Sequence, residues 1–155
     1  VNDDQPDGDV ISIGFSATCE RGEIVDLQKA TYGANRAVLG REPLPSLADY
    51  GEVFARAKCW VARDAGKNAG AVFLEVTDDD LLMWSVATVP SRQGVGGRLM
   101  AFAEARAREL GREIIRLYTG QLLTDRIAWY SRLGYLIEWL EEMDDRLAVH
   151  MKRTI

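Results

Sequence analysis

Histidine is almost absent from this chain: His150 is the only one among 155 residues, and just two cysteines, Cys19 and Cys59, accompany it. With no second histidine and no paired cysteine spacing, there are too few ligands for a zinc site, and none is expected. A Ser-His or Cys-His relay would have to use His150, near the C-terminal end, and nothing around it supports one. Cys59 opens an apolar strand-like run and reads as a small core residue rather than a nucleophile. Long apolar runs are also missing, since no stretch approaches the roughly 20 residues of a membrane span. Val1-Asn2-Asp3-Asp4 carries no basic region leading into a hydrophobic segment. A cytoplasmic location without a membrane partner is therefore expected. Positive charge is in deficit, with 19 Lys and Arg against 24 Asp and Glu and a net charge of −5. That balance disfavours nucleic acid as a partner and suits a cationic substrate such as an amine.

The chain does have enough apolar residues, 47% of the sequence, to bury one substantial core. One domain spanning 1–155 is expected, with 1–9 as a flexible lead. Alternation over 10–15 predicts a first strand. Ile24, Leu27, Ala34 and Val38 recur at helical spacing over 23–39, prolines interrupt at 43 and 45, and Ser46 is placed to cap a second helix reaching residue 58. Runs 59–63, 71–76 and 81–89, joined by polar turns at 64–68 and 77–80, read as an antiparallel meander. Leu99, Phe102, Ala103, Arg106, Ala107 and Leu110 mark one face of a long helix that Gly111 stops. The strand 113–118 that follows makes the unit a βαβ crossover. Thr124-Asp125 caps a shorter helix that Gly134 ends, and 135–140 and 147–151 form a last strand pair about the acidic turn 141–145. The fold class expected from this order is mixed α/β (α+β).

Between strand 81–89 and the long helix lies Ser91-Arg92-Gln93-Gly94-Val95-Gly96-Gly97-Arg98-Leu99. Gly94, Gly96 and Gly97 can take positive φ and bring the backbone close to a ligand, so that successive N–H groups converge on an anion. The helix starting near Gly97 adds its positive dipole end, and a diphosphate fits that chemistry. A tight strand-to-helix turn without a ligand is the other reading of the same glycines. Residue identity excludes two glycine motifs. A P-loop needs Lys-Ser or Lys-Thr where Arg98-Leu99 stands, and G-x-G-x-x-G needs glycine at Leu99.

In this order the chain resembles the GNAT acetyltransferase superfamily over nearly its whole length. Three segments carry the resemblance: V-A-T-V-P-S-R-Q-G-V-G-G-R-L-M at 86–100, R-L-Y-T at 116–119 and A-W-Y-S-R-L-G-Y at 128–135. It implies a mostly antiparallel sheet with a central splayed strand pair and flanking helices, and acetyl-CoA as acyl donor without a metal. It further implies that the loop residues Arg92, Gln93, Gly94, Val95, Gly96, Gly97 and Arg98 bind the pyrophosphate. The open backbone of Val86, Ala87 and Thr88 would bond the pantetheine arm, and Tyr130 would stand beside the thioester sulfur as general acid. The loop departs from the usual Q/R-x-x-G-x-G/A pattern. Aligning Gly94-Val95-Gly96 with G-x-G puts Ser91 in the Gln/Arg position, whereas aligning Gln93 there leaves Arg98 at the last small position. Arg126 stands where relatives commonly place a cofactor-contacting Asn.

The chemistry implied for Tyr130 is sound, because a phenol of pKa about 10 can protonate a departing thiolate whose conjugate acid lies near 8.5. The alternative is a core tyrosine at helical spacing with Ile127 and Leu133. Where relatives often carry a carboxylate or amide just before Val86, this chain has Trp84-Ser85. Glu75, on the neighbouring strand, is then the candidate base, with water as the other proton acceptor. Tyr32, Tyr50, Trp60, Trp84, Trp129 and Trp139 are candidate walls of the acceptor site. The expected function is transfer of acetyl from acetyl-CoA to a primary amine of a small molecule or peptide by direct attack, in a monomer or homodimer. The alternative is a catalytically weak GNAT-like module that binds acyl-CoA or serves as an interaction subunit.

Overall fold

The computed structural model describes residues 11–155, so Val10 and the lead 1–9 lie outside the described residues. The order is β1 (Ile11–Phe15), a 3-10 turn (Thr18–Glu20), α1 (Arg21–Gly33), α2 (Arg36–Leu39), α3 (Leu44–Leu47), α4 (Tyr50–Arg56), β2 (Lys58–Asp64), β3 (Lys67–Val76) and β4 (Leu81–Thr88). Then come α5 (Val95–Glu109), β5 (Ile114–Gly120), α6 (Thr124–Arg132), β6 (Leu136–Met143) and β7 (Arg146–Thr154). The strands form one seven-stranded sheet in the order β1-β2-β3-β4-β5-β7-β6. Every neighbouring pair is antiparallel except β4 and β5, which the α5 crossover joins in parallel. This is the mixed α/β sheet expected from the sequence.

The β4–β5 pair is splayed. It is joined only at Leu81↔Ile115 and Leu82↔Arg116, although both strands run on for several residues. Just past that point β4 carries a bulge opposite β3, where Phe73 faces Ser85 and Leu74 faces Met83, leaving Trp84 as the extra residue. A bulge of this kind bends its strand and sharpens the local twist, which helps the two edges part.

Apolar residues cover both faces of the sheet. On one, Val95, Leu99, Met100, Ala103 and Ala107 of α5 pack with Val72, Leu81, Ile115, Leu117 and Met151. Leu99 is fully buried, and trimming it to Ala would cost roughly 2–5 kcal/mol. Gly70 allows the close approach of α5, because a Cβ there would lie 2.9 Å from both Ala87 O and Val95 Cγ1. On the other face, Ile24 of α1 and Tyr50 and Val53 of α4 pack with Cys59, Val61, Ala71 and Phe73. Burial pushes the Cys59 thiol up to about 12, in keeping with a core residue.

Several boundaries differ from those expected. The helix over 23–39 breaks after Gly33, and α2 ends on Gly40 at φ +70°. Gly33 and Asn35 are both poor helix formers, so the chain turns there instead of continuing. The cap of the next helix is Asp49, whose Oδ1 accepts from the N–H groups of Gly51 and Glu52 at 3.0 and 3.4 Å. Ser46 sits within the one-turn α3 and caps no helix. β3 begins at Lys67 because Ala65 and Gly66, at φ +49° and +82°, close a two-residue turn. The acidic turn narrows to Asp144-Asp145, the strands taking up its flanks. Leu123, not Thr124-Asp125, precedes α6, and it makes no side-chain cap. Among the described residues no helix is long and apolar enough to cross a membrane.

Candidate active site

Where β4 and β5 part, the wedge between them opens into two adjoining spaces. The larger, about 530 Å³, is walled by Tyr32, Trp84, Ser85 and Val86 on one side and Leu117, Tyr118, Thr119, Arg126 and Tyr130 on the other. Its outer rim is the segment from Leu39 to Pro45 together with Glu142–Ala148 of the last hairpin. The smaller, about 220 Å³, is formed by Val86, Thr88, Gly96, Arg126 and Trp129. Val86 and Arg126 wall both. An extended ligand can therefore run from the first turn of α5 along β4 to Tyr130.

Tyr130 lies on the inner face of α6, 4% exposed. Its ring packs against Trp129 and Tyr135 at centroid distances of 5.1 and 6.1 Å. Burial pushes its phenol up to about 12, with Arg126 pulling the other way. It is therefore a protonated hydroxyl at any ordinary pH. The Arg126 guanidinium sits 5.3 Å above the Tyr32 ring centroid and interacts with the hydroxyls of Tyr32 and Tyr130. Arginine keeps its charge under all such conditions, so a fixed cation flanks Tyr130.

The glycine loop takes a different form from the one expected. Only Gly94 adopts positive φ, +84°, and it is the N-cap of α5; Gly96 and Gly97 are already helical, and the helix starts at Val95. The first N–H to join the α5 ladder here is that of Arg98, bonded to Gly94 O at 3.3 Å. The amides of the turn before it remain available for an anion. Gly96 is small for a packing reason: a Cβ there would lie 3.3 Å from the Trp129 ring. Arg92 is tied to the β2–β3 turn through Asp64 at 2.8 Å and also donates to Gln93 O.

Of the expected aromatic walls, Tyr32 and Trp84 line the larger space and Trp129 the smaller. Tyr50 and Trp60 pack into the two cores. Trp139 stands on the outer face, stacked on His150 at 4.1 Å. Glu75 lines neither space; its carboxylate lies 3.5 Å from Arg56. Tyr118 and Ser85, which no spacing in the sequence marks as wall residues, also line the cavity. Ser85 Oγ is buried and unpartnered there. The bulge that turns Ser85 inward has no signature in sequence spacing. The rim contains one further device: Asp145 pairs with both Arg41 and Arg146 at 2.8 Å, and Arg146 donates to Glu42 O at 3.0 Å. Those contacts tie the α2–α3 segment to the last hairpin. Among the described residues no group of three or more His, Cys, Asp or Glu side chains could hold a metal ion.

A family model described as an acetyltransferase (GNAT) domain matches residues 55–137, more than half of the chain and the whole of β3–α5–β5–α6. The chain belongs to the GNAT acetyltransferase family. No curated protein matches it in sequence. Among solved structures, the ribosomal-protein-S18-alanine N-acetyltransferase from Escherichia coli aligns with TM-score 0.75 at 18% identity, covering 94% of each chain. A Bacillus subtilis acetyltransferase in complex with CoA aligns with TM-score 0.69 at 20% identity, over 94% of this chain and 97% of its own. A GNAT family acetyltransferase from Elizabethkingia anophelis with acetyl-CoA bound gives TM-score 0.71 at 13% identity, over 94% and 98%. Likeness at these identities establishes the GNAT fold for this chain and leaves its substrate to be argued from the site.

Proposed function

We propose that this GNAT protein transfers the acetyl group of acetyl-CoA to a primary amine by direct attack, with Tyr130 protonating the departing thiolate. The observation that carries the reading is the continuity of the two spaces through Val86 and Arg126, ending at a buried, protonated Tyr130. CoA and acetyl-CoA bound to structural relatives support a CoA-type donor. The diphosphate would rest on the free amides opening α5, with the pantetheine arm against Val86, Ala87 and Thr88.

In the transfer itself, the amine lone pair forms a bond to the acetyl carbon. The resulting tetrahedral intermediate then breaks its C–S bond, with the electron pair leaving on sulfur. Tyr130 gives its proton to that thiolate, and the phenolate left behind is stabilised by Arg126 until water reprotonates it. Burial lifts the phenol to about 12, which keeps it protonated but weakens it as an acid, and the Arg126 guanidinium, pulling the other way, offsets part of that cost. The proton lost by the amine goes to water through the open rim, because Glu75 lies outside the cavity and is engaged by Arg56. No activated nucleophile is present in the cavity wall to form an acyl-enzyme. The acceptor is a small-molecule or peptide amine, and the protein works as a monomer or homodimer. A cytoplasmic setting belongs to the same reading, since Cys19 is an exposed free thiol of the kind a reducing compartment preserves.

Calorimetric titration with acetyl-CoA, followed by release of free thiol across a panel of primary amines, tests the reading. Binding with turnover on at least one amine is expected. Binding without turnover would favour the acyl-CoA-binding module instead, for which the absence of a carboxylate base at Ser85 already speaks.

A further inference from the structure

Beyond Leu82 the β4 edge has lost its partner strand, and buried backbone groups left unpaired there would each be costly. Those of Val86 and the carbonyl of Thr88 are not unpaired. The Tyr32 hydroxyl, near the end of α1, donates to Val86 O at 3.0 Å and accepts from Val86 N–H at 3.2 Å. One turn face away, Thr31 Oγ1 donates to Thr88 O at 3.3 Å. Val86 and Thr88 are two apart, so their backbone groups face the same way along the strand. Two side chains of one helix thus stand in for the missing strand, and Tyr32, 8% exposed, satisfies donor and acceptor of the same residue as an amide would.

Those same backbone groups are the ones an acyl-CoA arm must use if it binds along β4. The arm carries secondary amides, each with one N–H and one C=O, and pairs with an open strand edge as an added strand does. It cannot share Val86 with Tyr32, because Val86 offers a single N–H. We infer that Tyr32 is a resident occupant of the cofactor groove: acyl-CoA binds by taking the Val86 backbone from the Tyr32 hydroxyl, and Tyr32 thereby sets acyl-CoA affinity. This inference rests on the acyl-CoA reading above.

The energetics have a definite sign. Tyr32→Phe leaves the Val86 N–H and C=O unpaired in the free protein and leaves the bound state unchanged, while the ring keeps its packing under Arg126. The free protein becomes less stable and the ligand binds more tightly. With ordinary net hydrogen-bond strengths the gain is roughly threefold to tenfold in Kd. Thr31→Val, which removes only the outer contact, tightens binding by a smaller factor in the same direction.

The experiment is calorimetric titration of wild type, Tyr32→Phe and Thr31→Val with CoA and acetyl-CoA, together with melting temperatures with and without saturating CoA. Tighter binding by Tyr32→Phe, with a melting deficit that closes when CoA is added, is the expected result. Equal or weaker binding, with the same deficit in both conditions, would show a purely structural hydroxyl and overturn the inference while leaving the acyl-CoA reading intact. If none of the three proteins binds CoA, the inference and that reading both fall. If Tyr32→Phe does not fold, Thr31→Val decides: unchanged or weaker affinity there overturns the proposal.

Discussion

The ring of Trp129 lies 3.3 Å from the point at which a Cβ on Gly96 would be built. That contact, not a special backbone conformation, limits the side chain that residue 96 can carry, because its φ is helical and any residue could adopt it. The two residues form opposite lips of the smaller space, where α5 and α6 come together over Val86 and Thr88.

Gly96→Val should therefore act through Trp129. A branched side chain displaces the indole into the groove and lowers acetyl-CoA affinity at least tenfold, about 1.4 kcal/mol. Calorimetry on a variant whose circular dichroism is native checks it. Trp129→Leu in the same background makes room for the valine and should recover part of the loss, whereas a loss caused by helix propensity would persist.

Tyr130→Phe keeps the packing with Trp129 and Tyr135 and removes only the hydroxyl. Turnover on a confirmed acceptor is expected to fall roughly 10²-fold, with acetyl-CoA affinity within about twofold of wild type. An unaffected turnover number would make Tyr130 a packing residue and hand the proton transfer to solvent.

The acceptor amine reacts only in its neutral form, so kcat/KM should rise with pH toward the amine's own pKa. The raised phenol of Tyr130 adds no falling limb until pH approaches about 12, since the acid form is the active one and is lost only above its folded pKa. Glu75→Gln should leave the profile nearly intact. Loss of an acidic limb in that variant, with activity down by two orders of magnitude, would identify Glu75 as the base after all.

How much of this was legible beforehand follows physical range. The α5 core positions Leu99, Ala103 and Ala107 and the stop at Gly111 are local patterns and appear as expected, with the helix starting two residues earlier, whereas Leu110 is exposed and Met100 is buried in its stead. The sheet order depends on the βαβ crossover, which chirality and chain length constrain strongly. Tyr130 was found through a short segment that keeps its spacing on one helix. Tyr32 was named only as a wall, because its bond to Val86 spans 54 positions and depends on where α1 crosses the sheet. The inward turn of Ser85 leaves no mark in the sequence because a bulge shifts alternation by one residue, and the break at Gly33 leaves none because the apolar spacing continues through it. Glu75 was chosen for its chemistry and strand, and its engagement with Arg56 of α4 is a tertiary fact.

Asp145 accepts from two guanidinium groups on different segments, Arg146 beside it and Arg41 from the α2–α3 connection. These pairs hold its carboxyl well below the usual carboxylate range. Its folded pKa is depressed, so whatever the contacts contribute is present above the unfolded value near 3.9 and is lost only as pH falls below it. Across an assay range of about pH 6 to 9 the link does not titrate. It does respond to salt, because Asp145 and Arg41 are exposed and screening shortens to roughly 3 Å at 1 M. Asp145→Asn should loosen the rim: the amides of residues 40, 41, 42 and 44 should exchange faster with deuterium, and the KM for the acceptor should rise severalfold. High salt should reproduce both effects in the wild type and add little in the variant. At any one salt concentration the affinity for acetyl-CoA should be the same in wild type and variant, since the donor groove lies at the far side of Val86. Unchanged exchange at these amides in Asp145→Asn would show that the prolines at 43 and 45 hold the rim by themselves.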